Sequence, residues 1–193
     1  MKLFSIFVVP VLMVGLAAAQ SGSSGTSSTG QSGSSSGSAN SSSSQGSSQL
    51  SPYAELFLKD TAMGNQEEIE LGQLAQQKAS NPAVKEFAQQ LVQDHQQAGQ
   101  QLQTLAQQKG VTVQQQLPDE ARMFRDRMQN VSGKQFDSAF MNDQIVHHAK
   151  DVQAFELMSQ NAQDPAIKGF AAQMLPKLQQ HLQQAKSVAQ QLQ

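Results

Sequence analysis

The sequence predicts an all-α protein whose folded part is a four-helix bundle, and three observations carry that prediction. From Ser51 onward Ala, Gln, Leu, Met, Lys and Glu dominate, and the Val, Ile and Tyr runs that build strands are missing. Apolar and small residues recur there at alternating steps of three and four, the spacing of one helix face. The stretch "LAQQKASNPAVKEFAQQ" (74–90) aligns without gaps on "LMSQNAQDPAIKGFAAQ" (157–173), pairing Pro82 with Pro165, Lys85 with Lys168 and Phe87 with Phe170. Gln matches count for nothing in so Gln-rich a chain, but the shared Pro-Ala-apolar-Lys-x-Phe-Ala core implies a duplicated helical hairpin. Two such hairpins bury their apolar stripes against each other.

The elements follow in chain order. "MKLFSIFVVPVLMVGLAAAQ" has a single Lys2, an apolar run from Leu3 to Leu16 and small residues at Ala17 to Ala19, the order of a secretory signal; the run, interrupted by Pro10, is short for a spanning helix. Residues 1–19 are therefore expected to be a cleaved signal peptide. Residues 20–50, almost wholly Ser and Gly with scattered Gln, Thr, Ala and Asn, read as a flexible tether, and residues 51–193 as the bundle. Breaks fall at Asn81-Pro82, from Gly110 to Pro118, at Ser132-Gly133 and at Asp164-Pro165. Asn or Asp before Pro supplies an N-cap and a pre-set first helical residue, so each of these dipeptides closes one helix and opens the next. Long helices are predicted over Pro52–Ser80, Pro82–Lys109, Lys134–Gln163 and Pro165–Leu192. A short one, Asp119–Gln129, lies in the long crossover between the hairpins.

Charge and composition exclude several classes. With 15% charged residues and a net charge of −2 there is no basic field for nucleic acid, and with no cysteine there are no disulfides, thiolate metal sites or cysteine nucleophile. No integral membrane span is expected after signal cleavage. No G-x-S-x-G, P-loop or H-E-x-x-H occurs. A non-enzymatic role is the expectation.

The core stripes single out four residues. The first helix reads Phe57, Thr61, Gly64, Glu68, Leu71, Ala75 and the second Val84, Ala88, Leu91, His95, Ala98, Leu102, Leu105. The third reads Met141, Ile145, His148, Val152, Phe155, Ser159, Ala162 and the fourth Ile167, Ala171, Met174, Leu178, His181, Ala185, Val188. Each otherwise apolar or small stripe holds one ionisable residue: Glu68, His95, His148, His181. In the pair His147-His148, His148 faces inward and His147, about 100° round the helix, faces a flank or solvent. Counted from the hairpin turns at about 1.5 Å per residue, Glu68 and His95 stand roughly 20 Å from the first turn, and His148 and His181 roughly 25 Å from the second. If the crossover puts the turns at opposite ends, all four side chains meet near mid-bundle. Three imidazoles and a carboxylate suit a transition metal such as zinc, copper or iron, or a self-satisfied buried hydrogen-bond network. Asp94, Asp151 and Glu156 are candidate supporting partners for the rings.

Taken together, "GNQEEIELGQLAQQKASNPAVKEFAQQLVQDH", "QFDSAFMNDQIVHHAKDVQAFE" and "DPAIKGFAAQMLPKLQQHLQQA" resemble the bacterial domain of unknown function 4142 family over about Pro52 to Gln190. The resemblance implies an exported, ferritin-like bundle without established activity, with recurrent polar residues at Glu68, Asp94, His95, Asp137, His148 and His181. A di-iron ferritin needs Glu-x-x-His on two helices. Here Val92, Ile145 and Leu178 stand three residues before the histidines, so ferroxidase chemistry is not expected. Three functions remain from the sequence: an exported bundle that binds a partner protein or small ligand or supports envelope stress tolerance, a metal-binding protein using the Glu68, His95, His148, His181 layer, and a purely structural spacer displayed on the Ser/Gly tether.

Overall fold

The protein is described from a computed structural model, covering residues 50–114 and 116–193. The expected signal peptide, and the expected tether apart from Leu50, lie outside the described residues. Among the described residues five helices follow in order: α1 (Pro52–Lys78), α2 (Pro82–Gln108), α3 (Asp119–Gln129), α4 (Gly133–Asn161) and α5 (Pro165–Gln191). The ends fall within a residue or two of the sequence reading, and the caps are those the dipeptides predict. The Asn81 side chain accepts the Ala83 amide at 2.8 Å, and Asp164 accepts those of Ala166 and Ile167 at 2.9 and 3.1 Å. Ser51 caps α1 in the same way through Ala54, and proline opens all three helices.

Two contacts show that the hairpin turns sit at opposite ends of the bundle. Asp137, near the start of α4 and fully buried, accepts the amides of Ser80 and Asn81 at 3.0 and 2.9 Å and the Ser80 hydroxyl at 2.5 Å. Lys109, just past α2, pairs with Asp164 in the other turn at 2.5 Å. The crossover therefore runs the length of the bundle. It leaves α2 at Gly110, which has φ +69, a left-handed value that a glycine adopts without strain. It then lays α3 along α1, where Arg125 pairs with Glu70 at 2.7 Å and Lys78 donates to the Gln129 carbonyl at 2.5 Å.

Each hairpin packs more closely within itself than against the other. At Gly72 a Cβ would fall 2.7 Å from Val92 Cγ2 and 3.3 Å from the Ala88 carbonyl, so a glycine is what lets α1 and α2 approach there. The apolar core is in two halves. One gathers Phe57, Leu58, Leu102, Phe155, Ile167 and Phe170; the other gathers Leu71, Phe87, Leu91, Phe136, Phe140 and Met141. Between them, on every long helix, lies a buried polar layer: Glu68, His95, Gln144, His148 and His181. Among the described residues no helix is long and apolar enough to cross a membrane.

Candidate metal centre

His95, His148 and His181 come together in that layer, each ring offering a nitrogen within 4.8 Å of the other two. The crossover makes the meeting possible, because it brings α4 and α5 into register with α2 from the opposite end. All three rings are buried, at 7, 0 and 1% exposed.

The outer nitrogen of each ring is held by an oxygen from a neighbouring group. His148 Nδ1 donates to the Gln144 carbonyl at 3.0 Å, and His181 Nε2 to Asp94 Oδ2 at 2.9 Å. His95 Nδ1 stands 3.1 Å from Asn65 Oδ1. A carbonyl or carboxylate oxygen only accepts, so these contacts fix the tautomers and leave lone pairs on His95 Nε2, His148 Nε2 and His181 Nδ1. The inner nitrogens of His148 and His181 face each other. His148 Nε2 and His181 Nδ1 are 3.3 Å apart, and His95 Nε2 is buried with no hydrogen-bond partner.

Burial, reinforced by His148 and His181, holds His95 well below the ordinary histidine range, and burial with His181 lowers His148 to about 3. Burial also lowers His181, against the pull of Asp94. All three rings are neutral at pH 7, the form that ligates metal. The donor set fits a transition ion. A metal about 2.0–2.1 Å from each nitrogen spaces tetrahedral ligands about 3.3 Å apart, the separation already found between His148 and His181. Access comes through a cleft of about 670 Å³ whose walls include His95, His181, Asn65, Asp94, Met158 and Met174.

The structure also corrects parts of the sequence reading. Glu68 does not join the three histidines. It is buried beside His147, whose Nδ1 is 3.6 Å from Glu68 Oε1, and α1 reaches the histidines through Asn65 instead. His147 does lie on a flank, with a side chain 28% exposed, but it faces three carboxylates, Glu67, Glu68 and Asp143. Of the supporting acids, Asp94 holds a ring as expected, while Glu156 is exposed and Asp151 acts on Glu67, Glu68 and His147 rather than on the three clustered histidines. Asp137, implied by family resemblance, clamps the first turn, far along α4 from the cluster.

Asn65 and Gln144 were missed. Asn65 precedes Glu68 by one helical turn on the same face, and Gln144 precedes His148 by one turn on the same stripe, a signal that the Gln-rich composition hides.

Fold and site define an all-α helical bundle with a buried three-histidine cluster at mid-height. The chain belongs to the domain of unknown function 4142 (DUF4142) family, whose profile matches residues 39–188. Among solved structures it is similar to a DUF305 fragment from Deinococcus radiodurans, 15% identical with a TM-score of 0.64 over 74% of this chain and 98% of that one. It is similar also to CopM in the Cu(I)-bound form, 20% identical with a TM-score of 0.60 over 72% of this chain and 96% of that one. A DUF305 protein from Streptomyces coelicolor is 12% identical, with a TM-score of 0.62 over 72% of this chain and 92% of that one. At these identities the likeness is one of fold. No curated protein matches the chain significantly.

Proposed function

We propose that this protein is an exported, non-enzymatic metal-binding bundle that holds one transition-metal ion, copper foremost, on His95 Nε2, His148 Nε2 and His181 Nδ1. The carrying observation is the outward tether on each ring. Three acceptors on three different residues leave three lone pairs within one buried cluster, an arrangement that costs electrostatic repulsion unless a cation or proton lies between them. Imidazole suits copper, zinc and iron, and the walls of the cleft leading to the rings include the thioethers of Met158 and Met174, soft groups that suit the passage of Cu(I). Structures of CopM, alike in fold, hold Cu(I), Cu(II) and silver. Bound there, the ion would supply a stored or buffered charge, while Asp94, Asn65 and the Gln144 carbonyl orient the rings and burial excludes water. Export rests on the charged, apolar and small-residue order of residues 1–19.

The test is uptake of Cu(I), supplied as a chelate complex, by the purified chain. The expected result is one copper per chain and a rise in Tm, about 3 kcal/mol at a metal concentration 100 times Kd, or roughly 10 °C for a domain of this size. His147→Ala keeps the response and His148→Gln combined with His181→Gln loses it. Copper uptake that survives loss of both histidines would overturn the assignment.

A further inference from the structure

A second cluster lies on the other side of the same layer, beneath the crossover helix. Glu67 and Glu68 come from α1 and Asp143 and His147 from α4. His147 Nε2 is 3.7 Å from both Glu67 Oε1 and Asp143 Oδ1, and its Nδ1 is 3.6 Å from Glu68 Oε1. These separations exceed hydrogen-bond range, so the ring is surrounded by acceptors and bonded to none. A cavity of about 400 Å³ under α3 opens onto Glu67, Asp143 and His147, with Glu120 and Arg127 on its α3 side and Lys150 on its α4 side.

The polar groups here are left unsatisfied. Both oxygens of Glu68, which is 1% exposed, and Asp143 Oδ2 have no hydrogen-bond partner. Gln144, a neutral amide, lies among these acids. It is fully buried beside the Glu68 and Asp143 carboxylates, and neither its side-chain nitrogen nor its oxygen completes a hydrogen bond. Burying carboxylates side by side around one imidazole ring is costly, and a divalent cation both pairs the charges and fills the empty acceptor sites.

We propose that Glu67, Glu68, Asp143 and His147 form a second cation site, separate from the three-histidine cluster, that takes a divalent ion of the Mn²⁺ class. Oxygen donors with a single imidazole suit such an ion and disfavour Cu(I), so the two sites divide hard from soft metals. Among the described residues only the histidine cluster has its donors already within 4.8 Å of one another. The acidic donors stand round His147 and close on an ion by side-chain rotation, with the cavity under α3 as the route in. Asp151, one turn along α4 from His147, adds negative charge to the site.

The experiment is Mn²⁺ binding to the full chain, counted by electron paramagnetic resonance of the free ion. One Mn²⁺ per chain is expected, and Glu67→Gln combined with Asp143→Asn should weaken it at least tenfold while Cu(I) uptake stays within twofold of the unsubstituted protein. In the unsubstituted protein, Mn²⁺ should broaden the NMR signals of Glu67, Asp143 and Phe124 before those of Asp94 and Lys177, a readout that does not depend on the variant folding. Absence of Mn²⁺ binding, binding indifferent to the double substitution, or broadening centred on Asp94 would each overturn the site.

Discussion

His148 Nε2 and His181 Nδ1 face each other at 3.3 Å, and with both rings neutral neither nitrogen carries a hydrogen to share. The proton of His148 is committed to the Gln144 carbonyl and that of His181 to Asp94. The groups behind the rings therefore decide what the cluster can bind as much as the rings do, and the first two predictions concern them.

Asp94→Asn should weaken copper binding by about 10- to 100-fold with little loss of fold, the usual effect of removing the group that orients a ligating ring. Asparagine can present its NH₂ to His181 Nε2 and so reverse which ring nitrogen is protonated. Competition against a Cu(I) chelator measures the change. Affinity equal to that of the unsubstituted protein would show that Asp94 serves Lys177, 3.3 Å away, and not the ring.

Gly99→Ala should separate site from stability. A Cβ at Gly99 would fall 2.7 Å from Asn65 Nδ2, so the Asn65 side chain must turn away and release His95. Alanine favours helix by about 1 kcal/mol over glycine, and an amide end moves easily. Denaturant midpoints should therefore change little while Cu(I) affinity falls. A loss of stability above about 2 kcal/mol would show that α1 and α2 themselves are forced apart.

Asp137→Ala should cost about 2–4 kcal/mol, because three donors at the first turn lose a fully buried carboxylate. Urea unfolding measures this. The metal response should persist under conditions where the variant is folded, since the clamp lies at the end of the bundle and the cluster at its middle.

Acidification should destabilise the metal-free protein through the histidines. A folded pKa held below the unfolded value means that the unfolded chain binds protons first. The stability contribution is therefore present above about 6.5 and is lost as pH falls toward the folded value, about 3 for His148. The raised carboxylates Glu67, Glu68, Asp143 and Asp151 act in the opposite sense, Asp151 from about 6, because the folded state takes their protons more readily. The histidine part is isolated by difference. His148→Gln should flatten the stability change between pH 7.5 and 5.5 by about 1.4 kcal/mol, read from urea midpoints. An unchanged slope would contradict a neutral His148.

Helix periodicity and capping dipeptides are local signals, so the sequence alone determined the five helices, the hairpin turns at Asn81 and Asp164 and the inward face of each long helix. It also separated His148 from His147, since neighbouring residues on a helix point about 100° apart whatever packs against them. Which side chains meet across helices is not a local matter. Asn65 and Glu68 lie one turn apart on one face of α1, and counting residues from a turn places a level only to within about that turn. The axial offset and approach of α1 and α2, set by contacts such as Gly72 on Val92 and Gly99 on Asn65, gave His95 to Asn65 and left Glu68 to His147. Likewise α3 had no assigned resting place in the sequence. Only its packing along α1, held by Arg125 on Glu70, turned Glu67, Asp143 and His147 from a solvated flank into the floor of a cavity, because burial is a property of what lies opposite a residue and not of the residue's own neighbours in the chain.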